Sequence, residues 1–230
     1  MSKSSKLSKT IYKNKISSEK SASQEDLVKR ATHIVVKRIK CKYPKLHFEW
    51  EQKLHGVDIM YQNSQLHPDL GQEISNPNSF IKPDGGFFYL IDKNGKSRLI
   101  LSSEMKKQGT NDKRATKKLK KQSMGNAVER FAKNPNVIKT IVEYEDIFPY
   151  VMFVSGCDFF KGSSIRDRLS SANRNAKFNI IHCLKKRLKN GNLEPIMSIF
   201  VKTEQWTLRQ ISNVLYKMAS KSIKHYLKNS

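Results

Sequence analysis

The sequence has few cysteines, few acidic residues and no long apolar run, and each shortage excludes a class of protein. The three cysteines, Cys41, Cys157 and Cys183, are scattered and form no CxxC pair, which argues against a disulfide framework or a structural zinc site. No window approaches the ~20 apolar residues of a membrane span, and the Lys/Ser-rich start has no apolar core typical of a secretory signal. We therefore expect a cytoplasmic protein that does not enter a membrane.

The shortage of acidic residues leaves a strongly basic chain. Its 44 lysines and arginines against 20 aspartates and glutamates give the 230 residues a formal net charge of +24. Such a charge repels itself in the folded state, and a polyanionic partner would relieve that repulsion. The charge therefore indicates a polyanionic partner but does not indicate an activity, because ribosomal proteins, repressors and nucleases can all be this basic.

The basic residues are concentrated in a few segments. Residues 1–22 are rich in lysine and serine and predict a basic flexible arm, with a solvated tail of no function as the alternative. Residues 23–230 predict a single domain that opens with a helix at Ser23, where a capping-box pattern begins. Two further basic clusters, at 106–121 and 185–189, predict exposed segments that hold phosphates.

Helix and strand patterns alternate through the rest of the chain, which predicts an α/β or mixed α+β class. Residues 45–80 predict loops around a short helix. The predicted strands are 87–91, 97–106, 149–154 and 195–201. The predicted helices are 125–133, 137–145, 165–172 and a closing amphipathic helix from Leu208, with Asn134-Pro135 separating the first two.

Two acids and a lysine are arranged in a way that suggests chemistry. Asp84 lies in a Pro-Asp-Gly-Gly segment before one predicted strand, and Glu104 and Lys106 lie at the end of the next. An Asn-Gly turn at 92–95 predicts that these strands pair as a hairpin, which brings Asp84 beside Glu104. Alternation along the strand places Glu104 and Lys106 on one side and Met105 on the other.

Two convergent carboxylates and a lysine suit the hydrolysis of phosphodiesters. Carboxylates can hold Mg²⁺, which activates water, and an ammonium group stabilises the charge that develops on the phosphate. The alternatives are that Asp84 only forms a turn and that Glu104 and Lys106 are ordinary exposed charged residues. A second Pro-Asp pair, at Asp69, competes with Asp84, but the hairpin geometry favours Asp84.

A third segment, at residues 125–130, has the composition of a base-reading helix start. A helix N-terminus favours phosphate and exposes its first side chains to base edges. Asn126 can pair with adenine, Glu129 can accept from exocyclic amino groups, and Arg130 can donate to purine N7. The alternative is an ordinary capped helix.

Together these segments resemble the EcoRI type II restriction endonuclease family over roughly residues 65–220. The resemblance implies the PD-(D/E)xK fold, an α/β architecture with a central five-stranded mixed sheet flanked by helices. It also implies a homodimer that cuts palindromic double-stranded DNA. The segments that carry it occur in family order: 68–71 (PDLG), 81–86 (IKPDGG), 104–109 (EMKKQG), 125–130 (GNAVER), 148–151 (FPYV) and 167–173 (DRLSSAN).

The resemblance implies a role for each candidate site residue. Asp84 and Glu104 would bind Mg²⁺ with the Met105 carbonyl as a further ligand, and Lys106 would lie by the attacking water. An AATT core, 5′ overhangs and a cognate DNA methyltransferase in the same system are implied as well. The residues implied to read the inner bases are Asn126, Ala127, Glu129 and Arg130.

One segment departs from the family pattern and bears on the outer base pair. EcoRI itself carries two arginines separated by two residues before an Ala-Asn pair. Arg168 fits the second, but Ile165 occupies the first position and Arg166 is displaced by one. Because arginine–guanine pairing is a major source of discrimination, we hypothesise a relaxed flanking base, such as purine–AATT–pyrimidine.

Two other classes of protein remain as alternatives. A non-catalytic, sequence-specific DNA-binding protein would share the basic surface and the segment at 125–130, but would not need the intact set of Asp84, Glu104 and Lys106. An RNA-binding or ribosomal protein would explain the charge but not the acid pair.

The basic clusters predict that DNA binding weakens steeply with salt. Each neutralised phosphate releases counterions, so a protein with six or more phosphate contacts loses about 10³-fold or more in affinity between about 50 and 200 mM salt. Fluorescence anisotropy of a labelled duplex, measured across that range, checks this. An affinity that stays constant with salt would contradict it.

Overall fold

A computed structural model describes the backbone of residues 3–58, 78–107, 117–120, 127–156 and 176–229. Side chains are described for residues 23–58, 78–106, 117–120, 134–156 and 176–229. The helix predicted at 165–172 and the competing Asp69 lie outside the described residues.

The described chain contains ten strands and three long helices. The strands are β1 His47–Glu51, β2 Leu54–His55, β3 Phe80–Ile81, β4 Phe87–Ile91, β5 Ser97–Lys107, β6 Tyr150–Ser155, β7 Ala176–Phe178, β8 Lys186–Arg187, β9 Leu193–Glu194 and β10 Met197–Lys202. The helices are α1 Lys3–Lys42, α2 Ala127–Ile141 and α3 Leu208–Lys228.

Six of these strands form a mixed sheet in the order β1-β4-β5-β6-β10-β7. The β1, β4 and β5 strands pair antiparallel, whereas β5, β6, β10 and β7 pair in parallel. The prediction of a mixed α/β sheet is confirmed, with six described strands instead of five. The prediction of loops around a short helix at 45–80 missed β1, in which Phe48 and Trp50 alternate with exposed residues.

Helices cover both faces of the sheet. The α1 and α3 helices pack on one face through apolar side chains at helical spacing. The α2 helix packs on the opposite face. The buried contributors are Val28, Ala31, Val35 and Ile39 from α1, Ile211, Leu215, Met218 and Ile223 from α3, and Ile138 from α2. No helix in the described ranges is both long and apolar enough to cross a membrane.

The predicted β4–β5 hairpin is confirmed. Its turn is closed by the Gly95 N–H, which donates to the Asp92 carbonyl at 2.9 Å, and by the Asp92 N–H, which donates to the Lys96 carbonyl at 3.0 Å. The Asp92 carboxylate also accepts from the Asn94 and Lys96 N–H groups at 2.9 Å. Gly95 has a φ of +78°, which explains why glycine suits this position.

Two helix boundaries differ from the sequence prediction. The α1 helix begins at Lys3, not at Ser23, because residues 1–22 contain no glycine or proline to end it. A separate arm over these residues stays a prediction. The α2 helix runs through Pro135, where two helices were predicted. Packing against the sheet outweighs the cost of a proline inside a helix, since Pro135 is buried.

The closing helix is confirmed as α3. Its N-terminus carries a capping box, in which the Thr207 hydroxyl accepts from the Gln210 N–H at 3.3 Å and the Gln210 side chain accepts from the Thr207 N–H at 3.1 Å. Because α3 lies beside α1 under the sheet, it completes the layer that supports β5 from below the candidate site.

Candidate active site

A tight turn at residues 83–86 fixes the backbone of Asp84 against the sheet. The Gly86 N–H donates to the Pro83 carbonyl at 2.9 Å, and the Gly85 N–H donates to the Ser103 carbonyl on β5 at 2.9 Å. On the other side, the Trp50 indole N–H donates to the Gly85 carbonyl at 3.0 Å. The hydrogen bond from Gly85 to Ser103 therefore extends the β4–β5 pairing to residues that precede Phe87, the first residue of β4.

This continuation places the Asp84 carboxylate opposite Met105. The Met105 N–H donates to Asp84 Oδ2 at 2.7 Å. Burial, helped by the negative charge of Glu104, raises the pKa of Asp84 to about 7 despite the opposing effect of the Met105 hydrogen bond. A cation at this position would favour the charged form of both carboxylates.

The Glu104 carboxylate lies deeper, with its side chain only 5% exposed. Its Oε1 pairs with the Lys106 ammonium. Its Oε2 accepts from the Tyr150 hydroxyl at 2.9 Å and from the Asn134 side-chain amide at 2.5 Å. Burial raises the pKa of Tyr150 well above its usual value and the charge of Glu104 adds to this, so the hydroxyl stays protonated and donates.

A β-bulge decides which face of the sheet Glu104 occupies. Phe88 pairs with Leu101 and Tyr89 pairs with Leu99, so Ile100 is an extra residue in β5. As a result, the consecutive residues Ile100 and Leu101 both pack with the α1–α3 layer. Beyond Leu101, side chains alternate between the two faces again, one residue out of phase with the start of the strand.

The shifted alternation sorts the residues at the end of β5 by face. Met105 packs into the α1–α3 core, while Glu104 reaches Tyr150, whose neighbours belong to the α2 layer. The opposite facing of Met105 predicted from alternation is thus observed. Lys106 pairs with Glu104 on the α2 side and is 29% exposed.

The residues present fit a hard divalent cation. Asp84 and Glu104 offer carboxylate oxygens, which Mg²⁺ prefers, while substrate and water supply its remaining ligands. The Met105 N–H faces Asp84, and because the N–H and C=O of a strand residue point the same way, its carbonyl lies on that side too. Within the described ranges, no cluster of three or more His, Cys, Asp or Glu side chains suggests a metal site elsewhere.

The structure leaves part of the predicted recognition set untested. Asn126 and Arg168 lie outside the described residues. Ala127 is the first described residue of α2, so the predicted segment is helical from Ala127 onward, and where the helix starts stays a prediction. Glu129 and Arg130 lie in its first turns, where only the backbone is described.

Sequence reasoning missed two residues that contact Glu104. Asn134 was interpreted as part of a helix break because it precedes Pro135, but it lies inside α2 and its amide faces the carboxylate. Tyr150 was interpreted as part of an apolar strand and of the family segment at 148–151, without a role at the site. The available signal was its hydroxyl, because a tyrosine buried in a strand needs a polar partner.

Comparison with known proteins places this geometry in a family. The family model described as restriction endonuclease EcoRI matches residues 10–166. The type II restriction enzyme EcoRI of Escherichia coli is 33% identical over 142 residues, which cover 57% of this chain and 50% of the relative. The type II restriction enzyme RsrI of Cereibacter sphaeroides is 25% identical over 235 residues, or 88% and 85% of the two chains. The chain thus matches about half the length of the first relative.

The turn at Asp84 predicts a specific coupling between Gly85 and Ser103. A Cβ on Gly85 would lie 2.1 Å from Ser103 Oγ and 2.8 Å from Thr32 Oγ1, so Gly85→Ala should destabilise the fold by about 1–3 kcal/mol. Ser103→Ala removes the nearer clash and should restore part of that loss, with a coupling of about 1 kcal/mol in urea unfolding.

Gly95→Ala is the matched control for this cycle. A Cβ there meets nothing within 4 Å, and only its φ of +78° costs energy. Its effect should therefore add to that of Ser103→Ala within about 0.5 kcal/mol. Equal coupling in both cycles would mean that the Gly85 contact with Ser103 does not constrain the turn.

Proposed function

Because the chain belongs to the EcoRI restriction endonuclease family, we propose that it is a type II restriction endonuclease. It hydrolyses double-stranded DNA with Mg²⁺ at a palindromic site with an AATT core and leaves 5′ overhangs. The observation that carries this proposal is the meeting of Asp84, Glu104 and Lys106 at the end of the β4–β5 hairpin, through the Asp84–Met105 hydrogen bond and the Glu104–Lys106 pair.

Each residue of the site has a distinct role in the proposed reaction. Asp84, Glu104 and the Met105 carbonyl would hold the metal ion, which when bound would polarise the phosphate and activate water. Lys106 donates to the attacking water and stabilises the negative charge that develops on the phosphate oxygens. Water attacks phosphorus in line, the bond to the 3′-oxygen breaks, and the phosphate stays on the 5′ end.

The start of α2 supports a role in reading the inner bases. A helix N-terminus attracts phosphate and presents its first residues to base edges, and the described part of the predicted segment, from Ala127, is helical. Asn126, Ala127, Glu129 and Arg130 are the proposed inner-base readers. Arg168 is the proposed outer-base reader.

A palindromic site suggests the remaining partners. Two copies of the chain related by a two-fold axis would place one active site on each strand, so a homodimer is proposed. A DNA methyltransferase of the same system, acting on the same site in the cytoplasm, would protect the host DNA. A role for residues 1–22 as a basic DNA-binding arm is part of the same proposal.

Exposed lysines among the described residues support phosphate binding. Lys117, Lys118 and Lys120 are exposed in the segment that follows β5. Lys186 and Lys189 are exposed on the β8–β9 hairpin. These positions supply affinity without sequence information, since a phosphate is the same at every step of the duplex.

One member of the 185–189 cluster has a structural role instead. The Lys185 ammonium donates to the Val142 carbonyl and, at 2.8 Å, to the Glu143 carbonyl, both just after α2. Burial lowers the pKa of Lys185, although nearby acidic residues oppose the shift. Lys185 therefore holds the end of α2 and is not counted among the proposed phosphate contacts.

The proposed catalytic roles predict a separation of cutting from binding. Asp84→Asn, Glu104→Gln and Lys106→Met should each lower the cleavage rate by about 10²–10³-fold or more, because each removes a group that acts on the reacting phosphate. Duplex binding measured with Ca²⁺ should remain within about 10-fold of wild type. Plasmid linearisation and electrophoretic mobility shift measure the two properties.

Glu49→Gln is the control for these variants. Glu49 is an exposed acid on β1, half of whose side chain is accessible, so its loss should leave cutting unchanged. If the wild-type protein binds an AATT site tightly but never cuts it with Mg²⁺, the alternative of a non-catalytic DNA-binding protein replaces the proposal.

The proposed specificity is tested by digestion of a randomised DNA library. Sequencing the ends of the fragments should show an AATT core and 5′ overhangs. The base before the core should be either purine. A strict requirement for GAATTC would contradict the relaxed flanking base but would still support the proposed AATT core. Ends without AATT would contradict the core.

A further inference from the structure

The α2 helix is proposed to read DNA at its start, and Asn134 at its middle contacts the proposed catalytic carboxylate. Asn134 lies two turns after Ala127, about 10 Å along the helix axis, and its amide donates to Glu104 Oε2 at 2.5 Å. A carboxylate oxygen only accepts, so the side-chain NH₂ of Asn134 must face it. The two proposed tasks of the protein, reading and cutting, therefore meet on one rigid element.

The same carboxylate oxygen has a second donor on a different element. The Tyr150 hydroxyl donates to Glu104 Oε2 at 2.9 Å from β6. The β6 strand pairs directly with β5, with Tyr150 opposite Ser102 and Met152 opposite Glu104. Because Tyr150 and Glu104 lie on adjacent hydrogen-bonded strands, their relative position does not depend on where α2 lies.

The Asn134 contact depends instead on where α2 lies. A helix makes its backbone hydrogen bonds internally, so α2 reaches the sheet only through side chains, such as Ile138 in the layer that it covers. Lys185 holds the carbonyls just beyond its C-terminal end. A small rotation about that held end displaces the N-terminal half of α2 most, and Asn134 lies on the side that moves.

We propose that Asn134 is a positioning residue that makes the alignment of Glu104 depend on how α2 sits on the DNA. This inference rests on the proposed nuclease function. When the start of α2 docks on its cognate bases, Asn134 stays within hydrogen-bond distance of Oε2 and holds the carboxylate in the geometry that the site needs. When α2 docks on a wrong base, the bond lengthens and Glu104 Oε2 keeps only the Tyr150 donor.

The first test needs no DNA. Calorimetric titration of the full-length protein with Mn²⁺ should show about 10-fold weaker binding in both Asn134→Ala and Tyr150→Phe, because loss of a hydrogen bond to a metal-binding carboxylate weakens the site by about 10-fold to 100-fold. Glu49→Gln should bind as wild type does. Unchanged Mn²⁺ binding in Asn134→Ala would overturn the inference.

The second test separates the two donors by sequence discrimination. The ratio of single-turnover cleavage rates on the cognate site and on a site with one inner base changed is measured for each variant. Tyr150→Phe should slow both substrates alike and leave the ratio unchanged. Asn134→Ala should slow the cognate site about 10-fold more than the altered site, and so lower the ratio. Equal ratios in the two variants would overturn the inference.

A second substitution keeps the test sound if Asn134→Ala folds poorly. Asn134→Asp has the same shape but replaces the donor by an acceptor that faces Glu104, so discrimination should fall at least as far. Thermal melting identifies any variant that has lost its fold. If wild-type protein cuts no DNA, the proposed function fails and this inference with it; if it cuts but the ratios do not differ, the inference alone fails.

Discussion

The site depends on one constraint: two carboxylates, Asp84 from the turn before β4 and Glu104 from β5, must lie close together in a partly buried place. The backbone hydrogen bond from Gly85 to Ser103 satisfies this constraint. It extends the hairpin pairing to residues before the start of β4 and brings Asp84 to the Met105 N–H. Like charges at such a place repel, and burial adds to the cost. The surrounding donors offset part of that cost, and the proposed cation would offset the rest.

The rest of the fold holds this hairpin in place from two sides. The α1–α3 layer supports Met105 from below, and the α2 layer places donors above Glu104. At the far end, Arg98 donates to Asp92 at 3.0 Å and pairs with Glu145 in the connection between α2 and β6. The hairpin is thereby linked to α2 at its turn as well as at its active end. Most of the described lysines are exposed, while Asp84 is partly buried and Glu104 is buried.

Local patterns predicted the elements whose cause is local. The hairpin turn followed from Asn94-Gly95 and the closing helix from its apolar spacing, since both depend on neighbours in sequence. The approach of Asp84 to the end of β5, at the Met105 N–H beside Glu104, followed as well, because the hairpin fixes which residues face each other. Errors occurred where packing overrode local preference. Pro135 predicts a break in any isolated helix, yet it lies buried inside α2 against the sheet.

By itself the sequence determined the chemistry of the site: Asp84, Glu104 and Lys106 with their spacing around one turn, and a charge of +24 that calls for a polyanion. Only the tertiary structure decided that Asn134 and Tyr150 share one oxygen of Glu104. The bulge at Ile100, which turns Glu104 toward α2, was equally hidden. Such contacts join residues far apart in the chain, and they exist only once the sheet and its two helical layers have packed.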